Sequence, residues 1–202
     1  MREIIRLIVV LSLICGVSAS ALQTVNAQLT PIIEKQIDLY IRGPALQALF
    51  GKPAESLLAN KILVPVLDQV LPVFYDAEGV QPPRIAIEVT GTGGYDGDIV
   101  LMVGIDLQSN QLLGLEIIQH NETPGVGARI ESESFRKQFK NLPLSTMPAL
   151  KKNGGKVDGI SGATYSSSAV INGTDSAIKI IQNNNTQIID LIRTQMQKMN
   201  ND

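Results

Sequence analysis

From Arg84 the hydrophobic period of the chain is two. Ile85, Ile87 and Val89 alternate with Ala86, Glu88 and Thr90, and the runs Ile99 to Ile105 and Leu112 to Ile118 follow. Successive side chains on an extended strand point to opposite faces, so this period predicts three strands rather than helices. Gln108-Ser109-Asn110 is a polar break between the last two, which predicts an antiparallel pair joined by a turn. Beyond Gln119 the period becomes helical. Phe135 and Phe139 share one face of a short helix starting near Glu131, a loop runs from Pro143 to Pro148, and Val170, Ile171, Ala177, Ile178 and Ile181 stripe a longer helix. Asn183-Asn184-Asn185 is expected to interrupt that helix, with a polar C-terminal helix from about Thr186 carrying Ile188, Ile189, Leu191 and Ile192. Strands first, with helices to one side and at the ends, predict an α+β domain on a twisted, largely antiparallel sheet with flanking helices.

Two segments precede it. Between Gly43 and Pro83, Pro53, Pro65, Pro72, Pro82 and Pro83 limit any helix to a short one. Leu57, Leu58, Ile62, Leu63, Val66, Leu67, Val70 and Leu71 recur at three and four, which reads as a helical stripe packed on the domain; a groove partner is the sharper alternative. Ile4 to Leu22 is nearly all apolar. A signal peptide with small residues at Val17 to Ala21 and a lasting transmembrane helix both fit the run, and the helical spacing of Val25, Leu29, Ile32, Ile33 and Ile37 favours the latter. Residues 1–41 are therefore expected to be an N-terminal membrane anchor with a helical extension, and residues 42–202 a separate domain. Arg2 and Arg6 would stay in the cytoplasm, which places that domain outside.

Asp158-Gly159-Ile160-Ser161-Gly162-Ala163-Thr164 runs directly into Tyr165-Ser166-Ser167-Ser168-Ala169-Val170. Glycine permits a tight turn, and hydroxyl residues before an apolar run mark a helix start. A hydroxyl at that end sits beside unpaired N–H groups and a partial positive charge, which would stabilise a phosphate near Thr164. Lys156 is the cation expected at the phosphate end, with Lys151 and Lys152 as solvated surface charges. Read alone, Ser-Gly-Ala-Thr is a capped helix after a turn. The longer spacing Asp-x-x-Ser-Gly-Ala-Thr resembles the flavinylation motif of FMN-binding domains, in which a flavin transferase joins FMN through its phosphate to the last threonine. The resemblance implies FMN as a covalent phosphoester on Thr164, with Asp158, Ser161, Gly162 and Ala163 completing the motif. Asp158 is an odd neighbour for a phosphate and is expected to accept hydrogen bonds from N–H groups of its own loop.

His120-Asn121-Glu122-Thr123-Pro124-Gly125-Val126-Gly127 is an independent second stretch. It is similar to the His-x-Glu-Thr-Pro-Gly-Leu-Gly loop of the G subunit of the Rnf electron-transport complex and of the related C subunit of the sodium-pumping NADH:quinone reductase, with Val126 in place of Leu. Gly93-Gly94-Tyr95-Asp96-Gly97-Asp98-Ile99, the Glu131 to Phe139 segment and the apolar N-terminus match in the same order, and the likeness is weakest from about Arg42 to Gln81. By itself the stretch is a tight loop between the third strand and the next helix. With both motifs present, Glu122, Thr123, Gly125 and Val126 are assigned to the flavin surroundings, and His120 either contacts the flavin or holds the loop.

The resemblance implies a single-pass flavoprotein of the inner membrane, with its N-terminus cytoplasmic, that passes electrons between other subunits of an Rnf-type complex linking ferredoxin and NAD chemistry to ion movement. A flavin transferase is the maturation partner. A C-subunit-like component, a secreted flavin domain and an envelope module whose turn only caps a helix remain the alternatives. A net charge of −2 and the absence of Trp argue against nucleic acid, and the lone His120 and Cys15 cannot assemble a metal or iron–sulfur site. No acid, base or nucleophile set is visible, so no catalytic residue is assigned and the chemistry falls to the cofactor.

Overall fold

In the computed structural model, which describes residues 2–66, 69–76, 78 and 82–199, five strands form an antiparallel meander in chain order. These are β1 (Lys61–Val66), β2 (Gln69–Tyr75), β3 (Arg84–Gly91), β4 (Ile99–Asp106) and β5 (Gln111–Gln119). The helices are α1 (Arg2–Ile37), α2 (Gly43–Phe50), α3 (Ala54–Ala59), α4 (Glu133–Arg136) and α5 (Thr164–Met199). The chain divides into two compact units, Met1–Tyr40 and Ile41–Asp202.

In the first unit, α1 has 36 residues, none of them buried. At about 1.5 Å per residue it is longer than a bilayer core of about 30 Å, and the stretch containing it is long and apolar enough to cross a membrane. Three of its hydroxyls bond back along the helix: Ser20, Thr24 and Thr30 donate to the carbonyls of Gly16, Ser20 and Asn26, each at 2.8 Å. Such back-bonding satisfies polar groups where water is absent.

In the second unit the alternation of β3 and β4 serves two cores. Ile85, Ile87, Val89, Leu101, Val103 and Ile105 pack with Ala169, Val170, Ala177, Ile178 and Ile181 of α5. The intervening Ala86 and Met102 pack, with Phe74, against Ala45, Leu46 and Phe50 of α2 and Leu57 of α3. The expected antiparallel α+β architecture is present. The polar turn between β4 and β5 is held by Asp106, whose carboxylate accepts from the N–H groups of Gln108 (2.9 Å) and Ser109 (3.1 Å). Burial alone would raise this carboxyl, but those two N–H groups and Arg84 outweigh it and hold it below its ordinary value.

Two sequence expectations fail. The stripe from Leu57 to Leu71 is a helix only as far as Ala59; it then becomes the β1–β2 hairpin, with Lys61 opposite Phe74 and Val66 opposite Gln69, and Leu67 lies outside the described residues. Branched residues and the prolines decide this, since Pro65 and Pro72 would each break a helix. Pro72 is tolerated because β2 pairs with β3 only through Val73, Phe74 and Tyr75. Burial then follows the strand period: Ile62 and Val64 are buried while Leu63 is 61% exposed. The asparagines at 183–185 do not interrupt α5, which runs unbroken to Met199. Asn184 donates to the Ile180 carbonyl at 2.7 Å, and Ile181, Ile188 and Ile192 stay in phase on the buried face. Burial of that face overrides the weak helix propensity of asparagine. The helix expected near Glu131 is a short 3-10 turn, Gly127–Glu131, followed by α4, and Phe135 and Phe139 meet edge to face at 5.6 Å.

Helix α5 crosses β3 at backbone contact. A Cβ on Gly91 would fall on the Ala169 carbonyl, and one on Gly173 would lie 2.9 Å from Leu101 and 3.0 Å from Gly91. This pair of glycines seats the helix and so fixes where its first turn lies.

Tyr75 is fully buried, and its hydroxyl has no hydrogen-bond partner among the described residues. Burial raises its pKa. An unpaired buried hydroxyl costs about 1–3 kcal/mol, so Tyr75→Phe is expected to stabilise the domain by about 1 kcal/mol in urea denaturation. A loss of stability in that variant would mean the hydroxyl is bonded.

Candidate functional site

The two sequence motifs converge on one cavity. Residues Thr123 to Val126 form a turn in which the Val126 N–H donates to the Thr123 carbonyl at 3.2 Å, with Pro124 at its second position and Gly125 at its third with φ +74°. That is a type II turn, which needs a residue tolerant of positive φ where Gly125 stands. His120 holds the loop from behind: its Nδ1 accepts from the Glu122 N–H at 3.0 Å, and its Nε2 lies 2.9 Å from a Glu131 oxygen. The first contact requires Nδ1 to be unprotonated, so Nε2 carries the proton and donates to Glu131. His120 thus acts as a structural hydrogen-bonding residue.

Glu122 is the centre of the arrangement. It is 4% exposed. One oxygen accepts from the N–H groups of Tyr95 (2.8 Å) and Asp96 (3.4 Å), and the other from the Ser166 hydroxyl (2.7 Å). Asp76, the other buried carboxylate among the described residues, has Lys52 as its partner at 2.7 Å; Glu122 is satisfied by neutral donors. The two loops close tightly on it: a Cβ on Gly94 would lie 2.6 Å from its Oε1, and one on Gly127 would collide with its Oε2.

Thr164 is the first residue of the 36-residue α5 and is exposed. The N–H groups of a helix's first turn lack intrahelical acceptors, so the Thr164 hydroxyl stands beside free donors at the positive end. The preceding turn is closed by the Ala163 N–H donating to Ile160 at 3.0 Å, with Gly162 at φ +80°. Ser167 secures it by donating to Ala163 at 2.9 Å and accepting from the Ile160 N–H at 3.0 Å.

A cavity of about 310 Å³ opens at this point, lined by Tyr95, Glu122, Thr123, Val126, Gly127 and residues 162–166. Glu122, Thr123, Val126, Gly162, Ala163 and Thr164 are therefore brought together. Gly125 shapes the turn without lining the cavity. Ser161 lines a shallow neighbouring pocket with Thr164 and Lys152. Lys156 is exposed and does not line the Thr164 cavity. Asp158 differs from expectation. It bonds Lys151 at 2.6 Å through its carboxylate and Gln138 at 2.7 Å through its N–H, because the lysine offers a full charge where the loop N–H groups of Ile160 and Ala163 already have acceptors. Tyr95, Gly127, Tyr165 and Ser166 line the cavity unassigned by sequence. Tyr165 and Ser166 follow the motif directly, and Tyr95 sits inside the Gly93 to Gly97 loop, so position was the available signal.

The cavity has the size of a small-molecule site. An apolar and aromatic lip, an exposed hydroxyl and a helix N-terminus suit a flat ring joined to a phosphate.

Comparison with known proteins gives the same picture. Residues 94–179 match the FMN-binding domain family. The chain is 43% identical over 88 residues to the G subunit of the ion-translocating oxidoreductase complex of Methanosarcina acetivorans, covering 44% of this chain and 46% of that protein. It is 42% identical over 105 residues to the G subunit of the Haemophilus influenzae complex, covering 49% and 50%. The chain spans about half the length of these curated relatives. Its fold is like that of the crystal structure of the C subunit of the Na(+)-translocating NADH-quinone reductase from Parabacteroides distasonis, with a TM-score of 0.50, 24% identity and coverage of 63% of this chain and 80% of that one.

Proposed function

We propose, from the FMN-binding domain that residues 94–179 match, that this chain is a membrane-anchored flavoprotein subunit carrying electrons through FMN joined as a phosphoester to Thr164, within an Rnf-type ion-translocating oxidoreductase complex. The observation that carries this reading is the placement of Thr164 on the wall of a cavity whose other wall is the Glu122 to Gly127 loop. Membership of the complex rests on likeness to its G subunit over about half of that protein; the likeness to the quinone-reductase C subunit concerns the fold alone.

Residues 1–41 serve as anchor and residues 42–202 as the extracytoplasmic domain, an orientation supported by Arg2 and Arg6 ahead of the apolar run. When bound, FMN supplies reversible electron uptake and release. The first turn of α5 would hold the phosphate, and Val126 and Thr123, on the same cavity lining, would be available to the ring. Lys152, which shares a pocket with Thr164, takes the phosphate-side role expected of Lys156. Asp158 keeps the motif loop in place through Lys151 and Gln138. A flavin transferase makes the bond, and the bond keeps the cofactor at high effective concentration where free FMN is scarce.

A carrier must cycle. Protein loaded by coexpression with a flavin transferase is expected to bleach on anaerobic dithionite addition and to regain its full flavin absorbance on reoxidation. Loaded protein whose flavin cannot be reduced and recovered would rule out the carrier role.

A further inference from the structure

The sequence has four tyrosines and no tryptophan, and two of the four line the cavity. Tyr95 is 73% exposed and Tyr165 is 66% exposed, both on the cavity lining. Tyr40 is as open, at 72%, but belongs to the N-terminal unit; in the second unit the other aromatic rings among the described residues, Phe50, Phe74, Tyr75, Phe135 and Phe139, are all buried. Their backbones are not loosely held. One oxygen of Glu122 accepts from the Tyr95 N–H at 2.8 Å, and the other accepts at 2.7 Å from the hydroxyl of Ser166, the neighbour of Tyr165. A single buried carboxylate thus ties together the two segments that carry the exposed rings. The glycines at 94 and 127 let both loops close on that carboxylate.

We infer that Tyr95 and Tyr165 are the aromatic walls of the flavin ring site, set on either side of the Glu122 tie and exposed because the isoalloxazine is what covers them. This rests on the functional reading above. A flat conjugated ring gains both apolar burial and offset stacking against phenol faces. Val126, 43% exposed on the same lining, supplies an aliphatic contact beside them.

The test uses flavin fluorescence. A phenol in contact with isoalloxazine gives an electron to the excited ring and takes it back, which quenches emission; a benzene ring of the same shape does not. Full chain loaded with flavin is compared with Tyr95→Phe, Tyr165→Phe and the double variant, with emission divided by flavin absorbance so that unequal loading does not matter. Wild type is expected to be strongly quenched, each single variant brighter, and the double variant severalfold brighter than wild type. Tyr95 lies outside the attachment motif, so Tyr95→Phe reads the contact independently of the modifying enzyme. Emission per flavin unchanged in all three variants would overturn the assignment while leaving the flavoprotein reading intact. A wild-type chain that takes up no flavin would overturn both.

Discussion

Replacing Thr164 with alanine is expected to abolish covalent flavin completely. The denatured variant should show no flavin fluorescence on a gel after coexpression with a flavin transferase, whereas Thr164→Ser should remain labelled. A phosphoester at the first position of α5 would need a hydroxyl oxygen there, and serine keeps that oxygen while alanine removes it. Thr164 is exposed, and the surrounding turn is held by Ala163, Gly162 and Ser167 rather than by its side chain. Stability should therefore change by no more than about 0.5 kcal/mol, so loss of flavin reflects loss of the attachment atom. Full labelling of Thr164→Ala would place the bond on another residue, the neighbouring serines first.

The largest expected effect on the fold comes from Glu122. Glu122→Ala leaves the Tyr95 N–H and the Ser166 hydroxyl, both bonded to it in the wild type, without their acceptor and opens a hole between the loops. Each unsatisfied buried group costs about 1–3 kcal/mol, so the variant should lose about 2–4 kcal/mol in urea denaturation. Glu122→Gln is the informative companion. Its amide oxygen serves the Tyr95 N–H, and its NH₂ faces a Ser166 hydroxyl that can rotate to accept, so the loss should stay near about 1 kcal/mol. Equal, large losses in both variants would show that the negative charge itself is required. A Glu122→Ala protein as stable as wild type would remove Glu122 from the centre of the site.

The sheet was legible because its signal is local. Ile85, Ile87 and Val89 alternate whatever the rest of the chain does, and the Gln108 to Asn110 break marks a hairpin. The β1–β2 hairpin was hidden because Ile62, Leu63 and Val66 continue the three-and-four spacing of Leu57 and Leu58 in α3, while Ile62 and Val64 fit the strand period. Only the prolines at 65 and 72 and the branched residues distinguish them. The asparagines at 183–185 misled for a different reason: local propensity said break, but the apolar face of α5 continues in phase to Ile192 and its burial is worth more.

The site divided along the same line. Residues inside motifs, namely Thr164, Gly162, Glu122 and Val126, could be named because those motifs resemble known ones. Which of them share a cavity depends on α5 crossing β3 at Gly91 and Gly173, a contact between distant parts of the chain that no local pattern records. Tyr95 reaches the site through its N–H bond to Glu122, and Asp158 is drawn to Lys151, a pairing that requires the folded loop.

Intact mass of the full chain, coexpressed with an active flavin transferase and followed by peptide mapping, decides whether Thr164 carries the flavin. An added mass of FMN less one water is expected, carried wholly by the peptide containing Thr164. An unmodified chain from cells in which the transferase labels a known target would contradict it, and the cavity at the start of α5 would then have to serve something other than a bound flavin.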